Sequence, residues 1–314
     1  MERVVTDKSF TMAEILISLT IIGVIAAITL PSLRANINEK TWATQRKVLN
    51  SRLSQAISMM PSLNGYGIGT TSALTEQNAA QAFITEGLSK VLQIKNICNY
   101  ENLSKCNIPN KISRLKSKKK IDFPNRLNAL NGNWPVAHTT TLEGVTYNFR
   151  SIFNTFVSAF ETQNGESIAV YYYPNCQSKN KSINYYVQTM ICANFLYDLN
   201  GKKGPNKVGK DIGFITALYA TDSELISPQA AQASSAMIIG FDSAKQFCSN
   251  QGTRMANSEE FMSLFANSKL IGYNDQVGYF TSDKFNGNNV FILSSTGLLY
   301  SENKNRAYVQ CIKR

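Results

Sequence analysis

Residues 15–30 form an uncharged run dominated by Ile, Leu and Val, and residues 10–33 carry one charge, Glu14. At ~1.5 Å per residue the longer stretch makes a helix of about 36 Å. That length would cross a hydrocarbon core of ~30 Å with some tilt, so a transmembrane helix is predicted over about 10–33. Beyond it, Trp42, Leu49, Leu53, Ala56, Ile57 and Met60 recur mostly at three- to four-residue spacing among Lys, Arg and Gln. This is the stripe of an amphipathic helix. Pro61 and the glycines at 65, 67 and 69 end it, because they break helical backbone. One helix over 10–60 is the expectation, apolar first and amphipathic later.

The remaining pattern is mixed. Ala79, Ala82, Phe83, Leu88, Val91 and Leu92 predict one or two helices within 72–95. Residues 96–135, rich in Asn, Lys and Pro, read as a long loop. Alternation and aromatic content predict strands over 146–149, 167–173, 190–198 and 212–219. Residues 236–314 read as a further unit: a short helix from Asp242 that stops at Gly252, then Asn257-Ser258-Glu259-Glu260. The latter has the form of a capping box opening a second helix to about 267. Short strands are expected over 278–281, 289–294, 298–300 and 307–312, with Ser295-Thr296-Gly297 as a hairpin turn. The fold class is thus α+β, with a long N-terminal helix (10–60), a head (61–235) and a small C-terminal unit (236–314).

Composition narrows the chemistry. Apolar residues make up 43% and charged residues 17%, which suits a folded chain. The formal charge is +11, favouring acidic partners such as nucleic acid, anionic lipid or acidic glycan, or simply a basic solvated surface. The basic run 111–120 could be a patch for DNA or another polyanion or a solvated loop; no aromatic residue interleaves with it to stack bases. Six cysteines, Cys98, Cys106, Cys176, Cys192, Cys248 and Cys311, lack any C-x-x-C pair, and His138 is the single histidine. A Cys/His zinc site is poorly supported, and disulfides in an oxidising compartment read better. Six cysteines allow 15 pairings; pairing neighbours, 98–106, 176–192 and 248–311, is the simplest. No Gly-rich phosphate loop or nucleophile elbow is present, and His138 stands in a polar Thr run without a motif. No enzymatic activity is expected.

Glu14 is the residue that a plain signal peptide or signal anchor leaves unexplained, since a carboxylate in an apolar helix calls for a specific partner. With it goes the segment Lys8-Ser9-Phe10-Thr11-Met12-Ala13-Glu14-Ile15-Leu16-Ile17. This segment resembles the processing site of type IV prepilins and type II secretion pseudopilins. The resemblance implies a leader over 1–9, a prepilin peptidase cut between Ser9 and Phe10, and N-methylation of Phe10. It implies that Glu14 meets the Phe10 amine of a neighbouring subunit during filament assembly, and that Pro31 kinks the helix. Ser9 departs from the family, which usually has Gly there. The flanking charges do not by themselves place the N-terminus in the cytoplasm. By resemblance the chain is a single-pass protein of the cytoplasmic (inner) membrane with a periplasmic or extracellular C-terminal part, later moved into a pilus or pseudopilus. Its partners would be the peptidase and other pilin or pseudopilin subunits, and its head a pilin-like β-sheet.

Two further resemblances concern the head and the C-terminal unit. The stretch from Asp198 through Asn200, Gly201, Gly204-Pro205-Asn206 and Gly209 to Asp211 is similar to a loop of many pilin-like proteins. More loosely it resembles the calcium loop of major pseudopilins, which implies Ca2+ on Asp198, Asn200 and Asp211. Oxygen side chains at alternating positions suit a hard cation. An Asx-turn loop capping its own backbone is the other reading, and Lys202, Lys203, Lys207 and Lys210 would repel a cation. In the last unit, Phe247-Cys248, Gly252-Thr253-Arg254-Met255, Glu259-Glu260-Phe261, Tyr279-Phe280-Thr281-Ser282 and Val309-Gln310-Cys311 resemble the lectin-like fold of C-type lectins and formylglycine-generating-enzyme relatives. That resemblance implies a Cys248–Cys311 bridge. The family's calcium and sugar motifs are absent from the sequence. The expected role is a structural subunit, minor or specialised, of a type IV pilus or a secretion pseudopilus; the alternative is an adhesive or DNA-binding minor pilin.

Overall fold

The computed structural model describes residues 12–64, 68, 79–115, 117, 119–123, 139–142, 145–148, 157–173, 176, 185–186, 191–219, 225–271, 278–285, 287–293, 298–302 and 306–313. The order of elements begins with α1 (Met12–Asn64), α2 (Ala79–Ala82), β1 (Ile94–Cys98), β2 (Lys111–Ser113), β3 (Lys120–Asp122), β4 (Thr139–Leu142) and β5 (Val145–Asn148). It continues with β6 (Ser158–Thr162), β7 (Ser167–Tyr172), β8 (Tyr185–Tyr186), β9 (Ile191–Asp198), β10 (Ile212–Leu218), β11 (Leu225–Ile226), β12 (Ala230–Ala233) and β13 (Ile238–Ile239). The last part holds α3 (Phe241–Ser249), β14 (Arg254–Met255), α4 (Ser258–Ala266), α5 (Ser268–Ile271), β15 (Gly278–Phe285), β16 (Asn288–Leu293), β17 (Leu298–Glu302) and β18 (Arg306–Ile312).

The chain divides into two compact units, Met1–Arg46 and Lys47–Arg314. In the first, the described residues are helical, and Met12, Ile15, Leu16, Ile17, Leu19 and Ile22 are all exposed. α1 is long, but among the described residues no helix is long and apolar enough to cross a membrane. Its described apolar side chains are interrupted by Glu14, Ser18 and Thr20. This corrects the expected fold class, with its transmembrane helix, and with it the expected single-pass placement in an inner membrane. The remaining elements are chiefly strands, which form multi-stranded, mainly antiparallel sheets.

In the second unit, one sheet runs β1-β6-β7-β9-β10-β11, and every pair in it is antiparallel. Every residue of β6, β7, β9 and β10 is buried, so both faces are covered. That explains near-continuous apolar runs where a half-exposed sheet would alternate. Phe83 stacks on Tyr172 with centroids 4.2 Å apart and leans on Phe195 at 6.3 Å. From α1, Leu49, Leu53, Ala56, Ile57 and Met60 are fully buried, the stripe that the spacing predicted. Arg52 Nη2 donates to Glu166 Oε2 at 2.9 Å, fixing this end of the helix beside the start of β7.

A large core gathers Leu196, Phe214 and Tyr171 of this sheet with Cys106, Ile112 and Phe123, and with Phe261, Leu264 and Phe265 of α4. It includes Tyr279 and Ile312, so it is continuous across residue 235. The second sheet has the order β12-β18-β15-β16-β17-β8, with β13 and β14 also on β18. Strand β8 joins it through Leu298↔Tyr186 and Leu299↔Tyr185, and β15 lies parallel to β18. A smaller core of Ala244, Cys248, Met255, Phe280, Val309 and Cys311 sits under α3. At the start of α4 the Asn257 side chain accepts from Glu260 N, and the Glu260 side chain accepts from Asn257 N, the reciprocal cap that the sequence announces. Three disulfides join Cys98 to Cys106, Cys176 to Cys192 and Cys248 to Cys311.

Candidate functional site

The most unusual chemistry lies in the loop 199–211, between β9 and β10. Its geometry comes from backbone turns that few residues allow: Gly201, Gly204 and Gly209 have φ of 63°, 73° and 83°, and Asn206 has 50°. At Gly209 a side chain would also meet Leu115, whose Cδ1 lies 2.7 Å from where a Cβ would stand. Glycine supplies such backbone without steric cost, and Asn is the side chain that tolerates it best.

Asp211 organises the loop. It is fully buried, and its oxygens accept from Asn206 N at 2.7 Å and Lys207 N at 2.8 Å. Asp198, at the end of β9, is also fully buried. Its Oδ1 accepts from Asn200 N at 3.1 Å, while Oδ2 has no hydrogen-bond partner. Asn200 donates through Nδ2 to Gly204 O at 2.8 Å, which leaves its Oδ1 unpartnered. Asn206 Oδ1 and Ser167 Oγ are buried and unpartnered too. Ser167 belongs here because β7 pairs with β9 in the register Ser167↔Asp198. Burial raises the Asp198 carboxyl to about 7; the negative charge of Asp211 pushes the same way, and the N–H groups of Asn200 and Gly201 oppose it.

Buried oxygens without partners are costly, about 1–3 kcal/mol each. One carboxylate oxygen, two amide oxygens and a hydroxyl are each donors of the sort a hard cation takes. Among the described residues no group of three His, Cys, Asp or Glu could hold a metal ion, so a cation here would lean on amides and a hydroxyl. The residues that fit one are Asp198, Asn200, Asn206 and Ser167. Asp211, expected as a ligand, spends its oxygens on the loop backbone. A bound cation would supply the positive charge that ionised Asp198 lacks in its buried position. Lys202, Lys203 and Lys210 are exposed around the loop and oppose that charge. Asn206 could have been read from the Gly-Pro-Asn turn. Ser167 is brought in by strand register alone.

The other expected site residues are distributed along the chain. Ser9, Phe10 and His138 lie outside the described residues, as does the 295–297 turn. Glu14 stands exposed in the first turn of α1, and Ser18 Oγ donates to its carbonyl at 2.7 Å. Pro31 falls within α1. No family model, curated protein or solved structure matches the chain.

Proposed function

We propose that this chain is a filament subunit of the type IV pilin or type II secretion pseudopilin kind, minor or specialised, whose N-terminal helix packs against the same helix of neighbouring subunits. The observation that carries the reading is the exposure of large apolar side chains along the start of α1: Met12 79%, Leu16 62%, Leu19 61% and Ile22 63%. A contiguous apolar surface of this kind calls for a partner surface, and burial would yield roughly 25 cal/mol for each Å² covered. Glu14 lies among these residues. In an assembled core its carboxylate would need a cation, and a Phe10 amine freed by a cut after Ser9 supplies one. A desolvated pair of this kind sets axial register as much as it adds stability.

The test is the N-terminus of the protein recovered from its producing cells, together with a Glu14→Leu variant. A chain that begins with methylated Phe10 and enters sheared fibres supports the reading. Glu14→Leu should leave folding unchanged and abolish incorporation into fibres. A mature protein that retains Met1, or a Glu14→Leu chain that assembles normally, would overturn it.

A further inference from the structure

Two lysine-rich segments that lie about ninety residues apart in sequence meet in the fold. The first is the hairpin of β2 and β3, paired Lys111↔Asp122, Ile112↔Ile121 and Ser113↔Lys120. The second is the loop 199–211. Backbone hydrogen bonds join them: Ser113 N donates to Asn206 O at 2.8 Å, and Val208 N donates to Ser113 O at 2.9 Å. A third segment, the short turn Leu103–Cys106, is held alongside by Lys202 Nζ donating to Ser104 O at 3.1 Å. The Cys98–Cys106 bridge ties that turn to β1.

The outcome gathers exposed lysines from three segments into one region of the fold. Lys105, Lys111, Lys119, Lys120, Lys202 and Lys203 are all exposed. The ion pairs Arg52–Glu166, Lys95–Glu161 and Arg254–Glu260 draw on none of these six lysines. The nearby acids do little to balance them. Asp198 and Asp211 are fully buried, and the exposed carboxylates are two, Asp122, which the hairpin register sets beside Lys111, and Glu101, just before the turn Leu103–Cys106.

We infer that this surface binds the phosphate backbone of double-stranded nucleic acid, without reading its sequence. Three features select that partner. The exposed cations are lysines, Arg114 being half-buried; lysines act as mobile point charges on a repeating anionic backbone, where arginine, with its planar fork, would favour bidentate recognition. The one aromatic residue of 103–123 and 199–211, Phe123, is buried, so these segments offer no platform for stacking the bases of a single strand. None of the large exposed apolar side chains falls in 103–123 or 199–211, whereas a surface built for anionic lipid would set apolar residues among its lysines. The rigid framework beneath, a hairpin laced to a loop and a disulfide, keeps the six charges together.

The experiment is fluorescence anisotropy of the full-length chain with a labelled duplex of about 30 base pairs, titrated at several salt concentrations. The competitors are unlabelled single strand, an acidic polysaccharide, and vesicles containing anionic lipid. Binding should weaken steeply with salt, with a log–log slope near −0.9 per phosphate neutralised. The triple variant Lys111→Gln, Lys120→Gln, Lys203→Gln should weaken binding at least ~10-fold at about 50 mM salt and flatten the slope by about one per lysine removed. A charge-matched control, Lys245→Gln, Lys284→Gln, Lys313→Gln, changes exposed lysines elsewhere and should leave binding within about twofold. Equal losses from the two triples would show attraction to net charge and overturn the site. Tighter binding to polysaccharide, single strand or vesicles than to duplex would overturn the partner, and an absence of duplex binding at low salt would overturn both.

Discussion

The two ends of α1 carry the same kinds of apolar side chain and meet opposite fates. Leu16 is 62% exposed while Leu53 is 0% exposed, although both stand in one continuous helix, Met12–Asn64. Helix propensity cannot distinguish them, because leucine has the same backbone preference at either place. The spacing does. From Leu49 to Met60 the apolar residues recur at three or four and leave polar residues between, which marks a stripe that one chain can cover. From Ile15 to Ile25 they run round the helix, and no single face of a sheet can cover that. The second end belongs to this molecule's own core, and the first leaves its apolar side chains exposed.

The strongest test of that contrast is a pair of truncations. Leu53→Ala should lower unfolding stability by about 2–5 kcal/mol, the range for emptying a packed site. Leu16→Ala should change it by no more than ~0.5 kcal/mol, as for an exposed position. Urea unfolding of the two variants under one set of conditions checks both. Equal losses would mean that the start of α1 is buried within the chain after all, and the distinction between the ends would be gone.

A smaller effect concerns the charged residues of the same helix. Arg52 donates to Glu166, whose side chain is 7% exposed, and Thr162 Oγ1 bonds to the same Glu166 oxygen. Arg52→Met keeps the apolar stem and removes the charge. It should cost about 1–2 kcal/mol, less than the usual loss of a buried pair, since Arg52 is 27% exposed and Thr162 remains. Glu166→Gln in the Arg52→Met background should recover part of that loss, because the buried carboxylate is then neutral. No loss in Arg52→Met would show that the pair is ornamental and that apolar packing alone holds this end.

Much of this was legible in the residues. Strands expected over 167–173, 190–198 and 212–219 are found as Ser167–Tyr172, Ile191–Asp198 and Ile212–Leu218, because runs of aromatic and β-branched residues bounded by Asn, Gly and Pro have few other uses. The neighbour pairing of cysteines is the one observed, and the cap at Asn257 is local chemistry written in four residues. Less readable were the elements that exist through distant pairing. β1 is Ile-Lys-Asn-Ile-Cys, half polar and divided by sequence between the expected helical segment 72–95 and the loop 96–135; it is a strand because β6 lies beside it, with Ile97↔Phe160 and Cys98↔Ala159 in register. The hairpin in the basic run has the same origin, since Ser113 finds its partner in the loop at Asn206. The candidate site divides likewise: Asp198 and Asn200 were visible in the loop, but Ser167 came from strand register. Asp211 was visible and proved to be committed to the backbone.

The loop offers a polar counterpart to the exposed helix, with groups buried before their partners are supplied, and it sets the smallest effect. Asp198 has its carboxyl raised to about 7, above the ordinary 3.8, chiefly by burial. A group with a raised folded-state value binds its proton more tightly folded than unfolded. Stability should therefore fall as pH rises from about 4 to 7 and level off above, by roughly 1 kcal/mol after allowing for relaxation around the ion. Asp198→Asn should remove that slope, which thermal unfolding at pH 5 and pH 8 would measure. Calcium then separates the two ways of satisfying the loop. If Asp198 Oδ2, Asn200 Oδ1, Asn206 Oδ1 and Ser167 Oγ accept a cation, millimolar Ca2+ at pH 8 should raise the midpoint of the parent chain by a few degrees and leave Asp198→Asn unmoved, since a ligand stabilises the state that binds it. If Ca2+ shifts neither, a proton on Asp198 is the partner the loop uses, and the lysines around its rim keep metal ions away.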